Sequence, residues 1–264
     1  MDWNLEILKT TPFVIFRVGH PTLKNELKKI ANRFPAELDH AHISPDQKRS
    51  REIFLTETQG DDFIRLIDRQ LEINDLAKLL IRKLWPKIIF TRRDLVFIDI
   101  LRFIVLGYWP FDVRCELSEM PVGSSIPPHT DGFKKIISLM IYFPRSASGG
   151  DEHLGTVFWS SNKSNYENQH LRLEDEAEFR GGSEQTLRLP FDSNYVYGFC
   201  RNSVSWHSVD PVENQDLSYK RRSLNINIYW DETFCALAQR KLVSWERRIR
   251  SSSRLKKSNN DFSL

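Results

Sequence analysis

The sequence predicts a mainly β fold with flanking helices (α+β), of the β-sandwich or jelly-roll type. Three observations support this prediction. Short strand-like segments separated by turn residues follow one another from about residue 95 to residue 232. Apolar residues at helical spacing precede this block, over about residues 20–86, and follow it, over about residues 232–250. No repeat with a fixed period is present, and closely spaced strands favour a sandwich or jelly roll over a parallel α/β sheet.

The composition fits one globular domain over residues 1–264, ending in a basic tail at 251–264. The net charge of +3 comes from 38 basic and 35 acidic residues. Such a mixed surface argues against a dedicated nucleic-acid binder, which carries a strongly basic face. Three widely spaced cysteines without a CxxC pair indicate a reducing compartment. No signal-peptide pattern or long apolar run is present, so we expect a cytoplasmic protein without a membrane span.

The N-terminal part carries helical patterns. Leu23, Leu27, Ile30 and Phe34 recur at helical spacing and predict a helix over residues 23–33. Two further apolar stripes predict two helices between residues 61 and 85, separated near residues 73–75. Proline lacks the N–H that a helix interior needs, so Pro86 is expected to end the second helix.

The strand-like segments begin after Pro86. A segment over residues 95–106 is rich in Val, Ile and Phe and fits either a strand or a buried helix. Strands are predicted over residues 113–117, 135–143, 155–159, 187–189, 194–199, 204–209 and 222–230. The polar stretch 160–184 is predicted to be a long excursion from the sheet and a candidate lid over a site.

A first chemical motif is Pro127-Pro128-His129-Thr130-Asp131, at the end of a strand-like run. Residues two apart on an extended chain point to the same face, so His129 and Asp131 are expected to face the same way. An imidazole and a carboxylate make up two-thirds of a 2-His-1-carboxylate metal site. His207 is the further histidine that lies in a predicted strand, and it is the candidate third ligand.

A second motif lies on the last predicted strand. From Ser223 to Ile228, small polar residues alternate with aliphatic ones, so one face is apolar and the other suits a polar cavity. Arg221 has the parity of the polar face, and Ser223 follows it two residues later. A guanidinium beside a hydroxyl is a strong carboxylate site. Arg222 has the opposite parity and is the alternative if the register is shifted by one residue.

Together, His129-Thr130-Asp131, His207 and Arg221-Arg222-Ser223 resemble the motif set of the Fe(II)/2-oxoglutarate-dependent oxygenases. The resemblance covers roughly residues 100–232. It implies a double-stranded β-helix, the cupin-like form of the jelly roll. It also implies Fe(II), 2-oxoglutarate and O₂, with His129, Asp131 and His207 as catalytic metal ligands. Arg221 would bind the distal carboxylate of 2-oxoglutarate, assisted by Tyr142 and Ser223.

The resemblance implies a dioxygenase that releases succinate and CO₂. Related halogenases lack the carboxylate ligand, so Asp131 favours hydroxylation or another oxidation. The polar stretch 160–184 favours a small molecule or saccharide as substrate, with Asn225, Asn227 and Trp159 as candidate contacts. Two alternatives are a protein side-chain hydroxylase and a cupin-like metal-binding protein without 2-oxoglutarate chemistry. A nucleic-acid demethylase has support from the basic C-terminus alone.

Overall fold

The structure is a computed structural model that describes residues 2–35, 38, 42–43, 48–54, 62–91, 111–132, 134–145, 152–163, 173–214 and 216–230. The predicted segment 95–106, the predicted C-terminal helix 232–250 and the basic tail lie outside these ranges. The chain divides into two units, residues 1–91 with 113–229 and residues 92–112 with 230–264. The fold and the site described below belong to the first unit.

The described residues of the N-terminal part form four strands and three helices. They are β1 (Asn4–Lys9), β2 (Ile15–Gly19), α1 (Leu23–Ala31), β3 (His42–Ile43), β4 (Arg49–Phe54), α2 (Asp62–Leu71) and α3 (Ile73–Thr91). Leu23, Leu27 and Ile30 are buried along one side of α1, as their helical spacing predicts. The break between α2 and α3 falls at Glu72, whose φ of 46° is incompatible with a continuing helix.

The prediction that Pro86 ends its helix is wrong, because α3 continues through it to Thr91. A proline inside a helix costs roughly 3 kcal/mol through the missing hydrogen bond and the steric clash. The apolar residues Leu80, Leu84 and Ile88, on either side of it, are all buried. Full burial of one such side chain contributes about 1.5–3 kcal/mol, so two or three of them offset the penalty. None of the described helices is long and apolar enough to cross a membrane.

The remaining elements, together with β1 to β4, build two sheets. They are β5 (Phe111–Pro121), β6 (Ile126–His129), β7 (Lys135–Phe143), β8 (Val157–Ser160), α4 (Leu173–Gly181), β9 (Glu184–Arg188), β10 (Val196–Cys200), β11 (His207–Val209) and β12 (Lys220–Trp230).

The described strands form a large sheet in the order β1-β2-β10-β7-β12-β5-β4-β3 and a small sheet in the order β6-β11-β8-β9. The chain crosses from one sheet to the other between β5 and β6, β6 and β7, β7 and β8, β9 and β10, β10 and β11, and β11 and β12. Two antiparallel sheets wound together in this way form a jelly roll, the double-stranded β-helix that the sequence predicted. The fold class is therefore confirmed.

Aromatic residues fill the space between the two sheets. Phe13, Phe158 and Phe199 contact one another edge to face, with ring centroids 5.3 to 6.1 Å apart. All three are at most 1% exposed, and they belong to the main buried cluster. The Phe199 ring also lies 4.6 Å from the His207 ring, centroid to centroid. The His207 ring therefore packs against the buried aromatic cluster.

Candidate active site

Three side chains that could bind a metal converge at one edge of the small sheet. His129 is the last residue of β6 and His207 the first of β11, and the two residues are direct partners in the antiparallel register. Their ring centroids lie 4.2 Å apart. Asp131 follows β6 by two residues, and its Oδ2 lies 3.9 Å from His207 Nε2. One ligand atom from each of the three residues lies within 4.8 Å of the other two.

Both histidine rings are oriented by the backbone. His129 Nδ1 lies 2.9 Å from the carbonyl oxygen of Pro127, and His207 Nδ1 lies 3.0 Å from that of Ser205. A carbonyl oxygen only accepts hydrogen bonds, so each neutral ring carries its proton on Nδ1 and donates it there. The lone pair is then on Nε2, the atom that a metal would bind. An N–H bonded to a backbone carbonyl is the usual support for a metal-binding histidine.

Asp131 is held by three contacts. Lys135 Nζ donates to Oδ1 at 2.7 Å, Ser138 Oγ donates to Oδ2 at 2.8 Å, and Arg201 Nε donates to the backbone carbonyl at 3.0 Å. Burial alone would raise the pKa of this carboxyl, but the Lys135 ammonium, and the two histidines when they are protonated, lower it well below its ordinary range. In turn, burial alone would lower the pKa of Lys135, but Asp131 raises it above its ordinary value.

These donors fit a divalent transition metal. Two neutral imidazoles and one ionised carboxylate are the donor set of the facial-triad iron sites, which leave coordination positions open for other ligands. Oδ2 is the carboxylate oxygen that faces the histidines, 3.9 Å from His207 Nε2. The structure thus brings together all three residues that the sequence nominated as metal ligands.

Arg221 lies in the same cavity, which has a volume of about 400 Å³. Its side chain is buried, with the whole residue 3% exposed, and burial lowers the pKa of the guanidinium. Nε donates to the Leu154 carbonyl at 2.7 Å, and Cζ lies 5.3 Å from the Tyr142 ring centroid and 5.1 Å from that of Phe191. No carboxylate pairs with Arg221 among the described residues. A buried cation without a counter-ion is costly unless an anion joins it.

Ser223 and Tyr142 also line the cavity and face each other across the β7–β12 pair. The Tyr142 hydroxyl donates to Thr156 Oγ1 at 2.7 Å and accepts the backbone N–H of Thr156 at 3.2 Å. Burial raises the pKa of this phenol. The Tyr142 ring therefore lies against the Arg221 guanidinium, while the Tyr142 hydroxyl is hydrogen-bonded to Thr156. Sequence reasoning missed Thr156, because a threonine just before a short strand gives no distinctive signal.

Arg222 points the other way, as strand alternation requires. Its Nε donates to Glu119 Oε1 at 2.9 Å, and Lys220 Nζ donates to the other oxygen of the same carboxylate at 3.2 Å. Glu119 is fully buried, so the two cations provide the charge that it needs. Arg222 does not line the cavity, and the geometry gives no support for it as an alternative to Arg221.

Asn225 and Asn227, two of the three candidate substrate contacts, line the cavity, whereas Trp159 does not. The Trp159 indole donates to Ser208 Oγ at 2.9 Å and packs in a separate cluster with Val157, Phe179 and Trp206. Residues 157–159 of β8 are all buried, and Phe158 is the one that faces the core between the sheets. Phe179 of α4 is in the Trp159 cluster, so this part of the predicted lid packs against buried residues of the small-sheet region.

Sequence reasoning also missed polar residues that line the cavity. These are Lys48, Glu116, Ser118, Lys135, Ser138 and Tyr229. Most of them lie on strands that were predicted, but parity alone does not show which strand stands next to the metal ligands. Lys48 precedes β4, in a polar stretch for which no strand was predicted.

No family model and no curated protein sequence matches the chain. Among solved structures, it aligns with a prolyl-4-hydroxylase from Pseudomonas putida at 14% identity and a TM-score of 0.45, covering 86% of this chain and 92% of that one. HygX from Streptomyces hygroscopicus, solved with nickel and 2-oxoglutarate bound, aligns at 14% identity and a TM-score of 0.41, covering 83% of each chain. The non-heme alpha ketoglutarate dependent epimerase SnoN aligns at 12% identity and a TM-score of 0.42, covering 85% and 83%. Every TM-score is below 0.5, so the function proposed below rests on the side chains of this chain.

Proposed function

We propose that the protein is a non-haem Fe(II)- and 2-oxoglutarate-dependent dioxygenase that hydroxylates a small molecule or saccharide. The observation that carries this proposal is the pairing, in one cavity, of the three-residue metal cluster with the buried cation Arg221. The cluster alone would serve many metal proteins. A cupin-like protein without 2-oxoglutarate chemistry has no use for a buried guanidinium that lacks a carboxylate partner, whereas a dicarboxylate co-substrate supplies that partner.

Each residue has a defined part in this reaction. His129, Asp131 and His207 would hold Fe(II), each histidine through Nε2 and the aspartate through a carboxylate oxygen. Arg221 binds the distal carboxylate of 2-oxoglutarate through its fork of N–H donors, with Ser223 beside it. Bound there, Fe(II) supplies the activation of O₂ that couples decarboxylation of 2-oxoglutarate to oxidation of a substrate C–H bond. One oxygen atom enters the new alcohol and the other enters succinate, with CO₂ as the third product.

The chain's other residues hold this arrangement in place. Lys135 and Ser138 fix the Asp131 carboxylate, and the Tyr142 ring lies under the Arg221 guanidinium. Both charged groups are thereby oriented before their ligands arrive, which reduces the reorganisation that binding requires. We also propose a cytoplasmic location. Supporting it, Cys115 and Cys200 are free thiols, as expected in a reducing compartment.

The test is the anaerobic binding of 2-oxoglutarate to the Fe(II)-loaded protein, followed by the visible metal-to-ligand charge-transfer band. Arg221→Ala is expected to weaken 2-oxoglutarate binding by about 30-fold or more, because it removes one partner of a buried charge pair. Arg221→Lys keeps the charge but not the planar fork, so an intermediate loss is expected.

Arg222→Ala is the matched control, since it removes the adjacent guanidinium from the opposite face of β12. It should lower stability through Glu119 and leave 2-oxoglutarate affinity unchanged. Release of succinate under O₂, measured in the same preparations, tests the reaction itself. Wild-type affinity in Arg221→Ala, or no charge-transfer band in the wild-type protein, would refute the proposal.

A further inference from the structure

The cavity has a second polar region, away from Arg221. It runs across neighbouring strands β12 and β5 to the residue that precedes β4. We call it the polar wall, and it consists of Lys48, Glu116, Ser118, Asn225, Asn227 and Tyr229. Neither the metal nor 2-oxoglutarate, as placed above, uses these side chains.

Two amides of the polar wall have unused hydrogen-bonding capacity. The side chains of Asn225 and Asn227 make no hydrogen bond with any described residue, although Asn227 is only 2% exposed. A buried amide carries both donors and an acceptor, and leaving them unpaired is costly. The two residues lie two apart on β12, so both amide side chains point to the same face of the strand and into the cavity. A ligand suited to them carries groups that both donate and accept, as hydroxyl groups do.

The two charged members of the polar wall are already paired with each other. Lys48 Nζ donates to Glu116 Oε1, and the two side chains are 19% and 20% exposed. An anion that captured Lys48 would leave Glu116 without its cation, and a cation that captured Glu116 would do the reverse. Either exchange is unfavourable at partly buried positions. The intact pair still offers ammonium N–H donors next to carboxylate lone pairs, and neutral hydroxyls can use both without breaking it.

From these observations we infer that the substrate is a neutral, polyhydroxylated molecule of the sugar or polyol class, bound along the polar wall. This inference rests on the proposed function, because it names the substrate of the same site. Asn225 and Asn227 bind ring hydroxyls, and the Lys48–Glu116 pair binds a further hydroxyl at the end of the wall.

The test uses three probes that share one ring and differ in charge, namely D-glucose, D-glucuronate and D-glucosamine, with myo-inositol as a neutral polyol. Calorimetry on the Ni(II)- and 2-oxoglutarate-loaded protein measures binding without turnover. The shift of the anaerobic Fe(II)/2-oxoglutarate band on adding each probe gives a second readout. We expect D-glucose or myo-inositol to bind. D-glucuronate and D-glucosamine should bind about tenfold or more weakly than the neutral probe that binds.

The variants then locate the binding. Asn227→Leu replaces the amide with an apolar side chain of similar size and should weaken neutral-probe binding about 10- to 100-fold. Lys48→Met should weaken it as well. Asn194→Leu, a surface position away from the cavity, is the control and should have no effect.

The outcomes separate this inference from the proposed function. The inference is supported if the charge-transfer band forms in both wild type and Asn227→Leu, but the neutral probe binds only to wild type. Tighter binding of glucuronate or glucosamine than of glucose would overturn it. So would the absence of binding by all four probes while the band forms. If the band itself never forms, the proposed function fails, and calorimetry on the metal-free protein still reports whether the wall binds neutral rings.

Discussion

Replacing Lys135 by Met tests how the carboxylate of Asp131, the proposed metal ligand, is held. The substitution keeps a long side chain but removes the cation that lies 2.7 Å from Asp131 Oδ1. In the metal-free protein, Asp131 would then keep the Ser138 hydrogen bond but lose the positive charge of Lys135 at hydrogen-bond distance. We therefore expect Lys135→Met to destabilise the metal-free protein, and bound metal to restore much of the loss.

The magnitude follows from the burial of the pair. The Lys135 and Asp131 side chains are 13% and 12% exposed, so this is a buried ion pair rather than a surface one. Removing one partner of such a pair costs about 3–5 kcal/mol, and the remaining Ser138 bond favours the lower end, about 3 kcal/mol. For a chain of this size, 1 kcal/mol shifts the melting temperature by about 2–4 °C, which predicts a drop of roughly 6–12 °C.

The assay is thermal unfolding with and without saturating Ni(II). A divalent ion bound at Oδ2 supplies the missing positive charge, so Ni(II) should raise the melting temperature more in Lys135→Met than in wild type. Lys78→Met is the control, because Lys78 forms an exposed pair with Asp75, with side chains 46% and 70% exposed, worth about 0–1 kcal/mol. Equal destabilisation by the two substitutions would refute the reasoning, as would a loss in Lys135→Met that Ni(II) leaves unchanged.

Further predictions concern the scaffold. Gly155→Ala should destabilise the protein by about 1–3 kcal/mol in denaturant unfolding, because a Cβ there would lie 1.7 Å from the Leu189 carbonyl oxygen. Gly181→Ala, with open space around its Cβ, should not. Burial raises the pKa of Cys115 and of Cys200 to about 12, so a thiol reagent at pH 8 should leave both unmodified until the protein unfolds. Because these folded-state pKa values are raised, the fold keeps this contribution below the unfolded thiol pKa of about 8.5 and loses it as pH rises towards 12. The free energy of unfolding should therefore be lower at pH 10.5 than at pH 8, and equal values would contradict this assignment.

Part of the site could be predicted from the sequence because successive side chains of a strand point to opposite faces. Arg221 and Arg222 are neighbours with opposite environments, and their parity relative to Ser223 and Asn225 is enough to distinguish them. Trp159 shows where the same reasoning fails. When residues on both faces of a strand are buried, as in β8, alternation no longer marks which face turns towards the cavity.

Long-range pairing explains what sequence reasoning missed. Lys48 reaches the cavity because β4 pairs with β5 and extends the large sheet beyond Glu116. Nothing in the polar stretch around Lys48 indicates that it joins a sheet. Pro86 is a different kind of miss, since the local preference of proline for a helix end was overridden by the burial of Leu84 and Ile88.

The three candidate metal ligands and the residues that hold Asp131 come from both sheets. Metal binding at this site would therefore be linked to the packing of one sheet on the other. His129 and His207 lie on paired strands of the small sheet, whereas Ser138, which holds Asp131, lies on β7 of the large sheet. Arg201, which binds the Asp131 carbonyl, directly follows β10 of the large sheet. A metal ion held by these three residues would therefore connect the two sheets at one end. Because the unfolded chain cannot assemble these distant residues, the free energy of metal binding would add to the stability of the folded jelly roll.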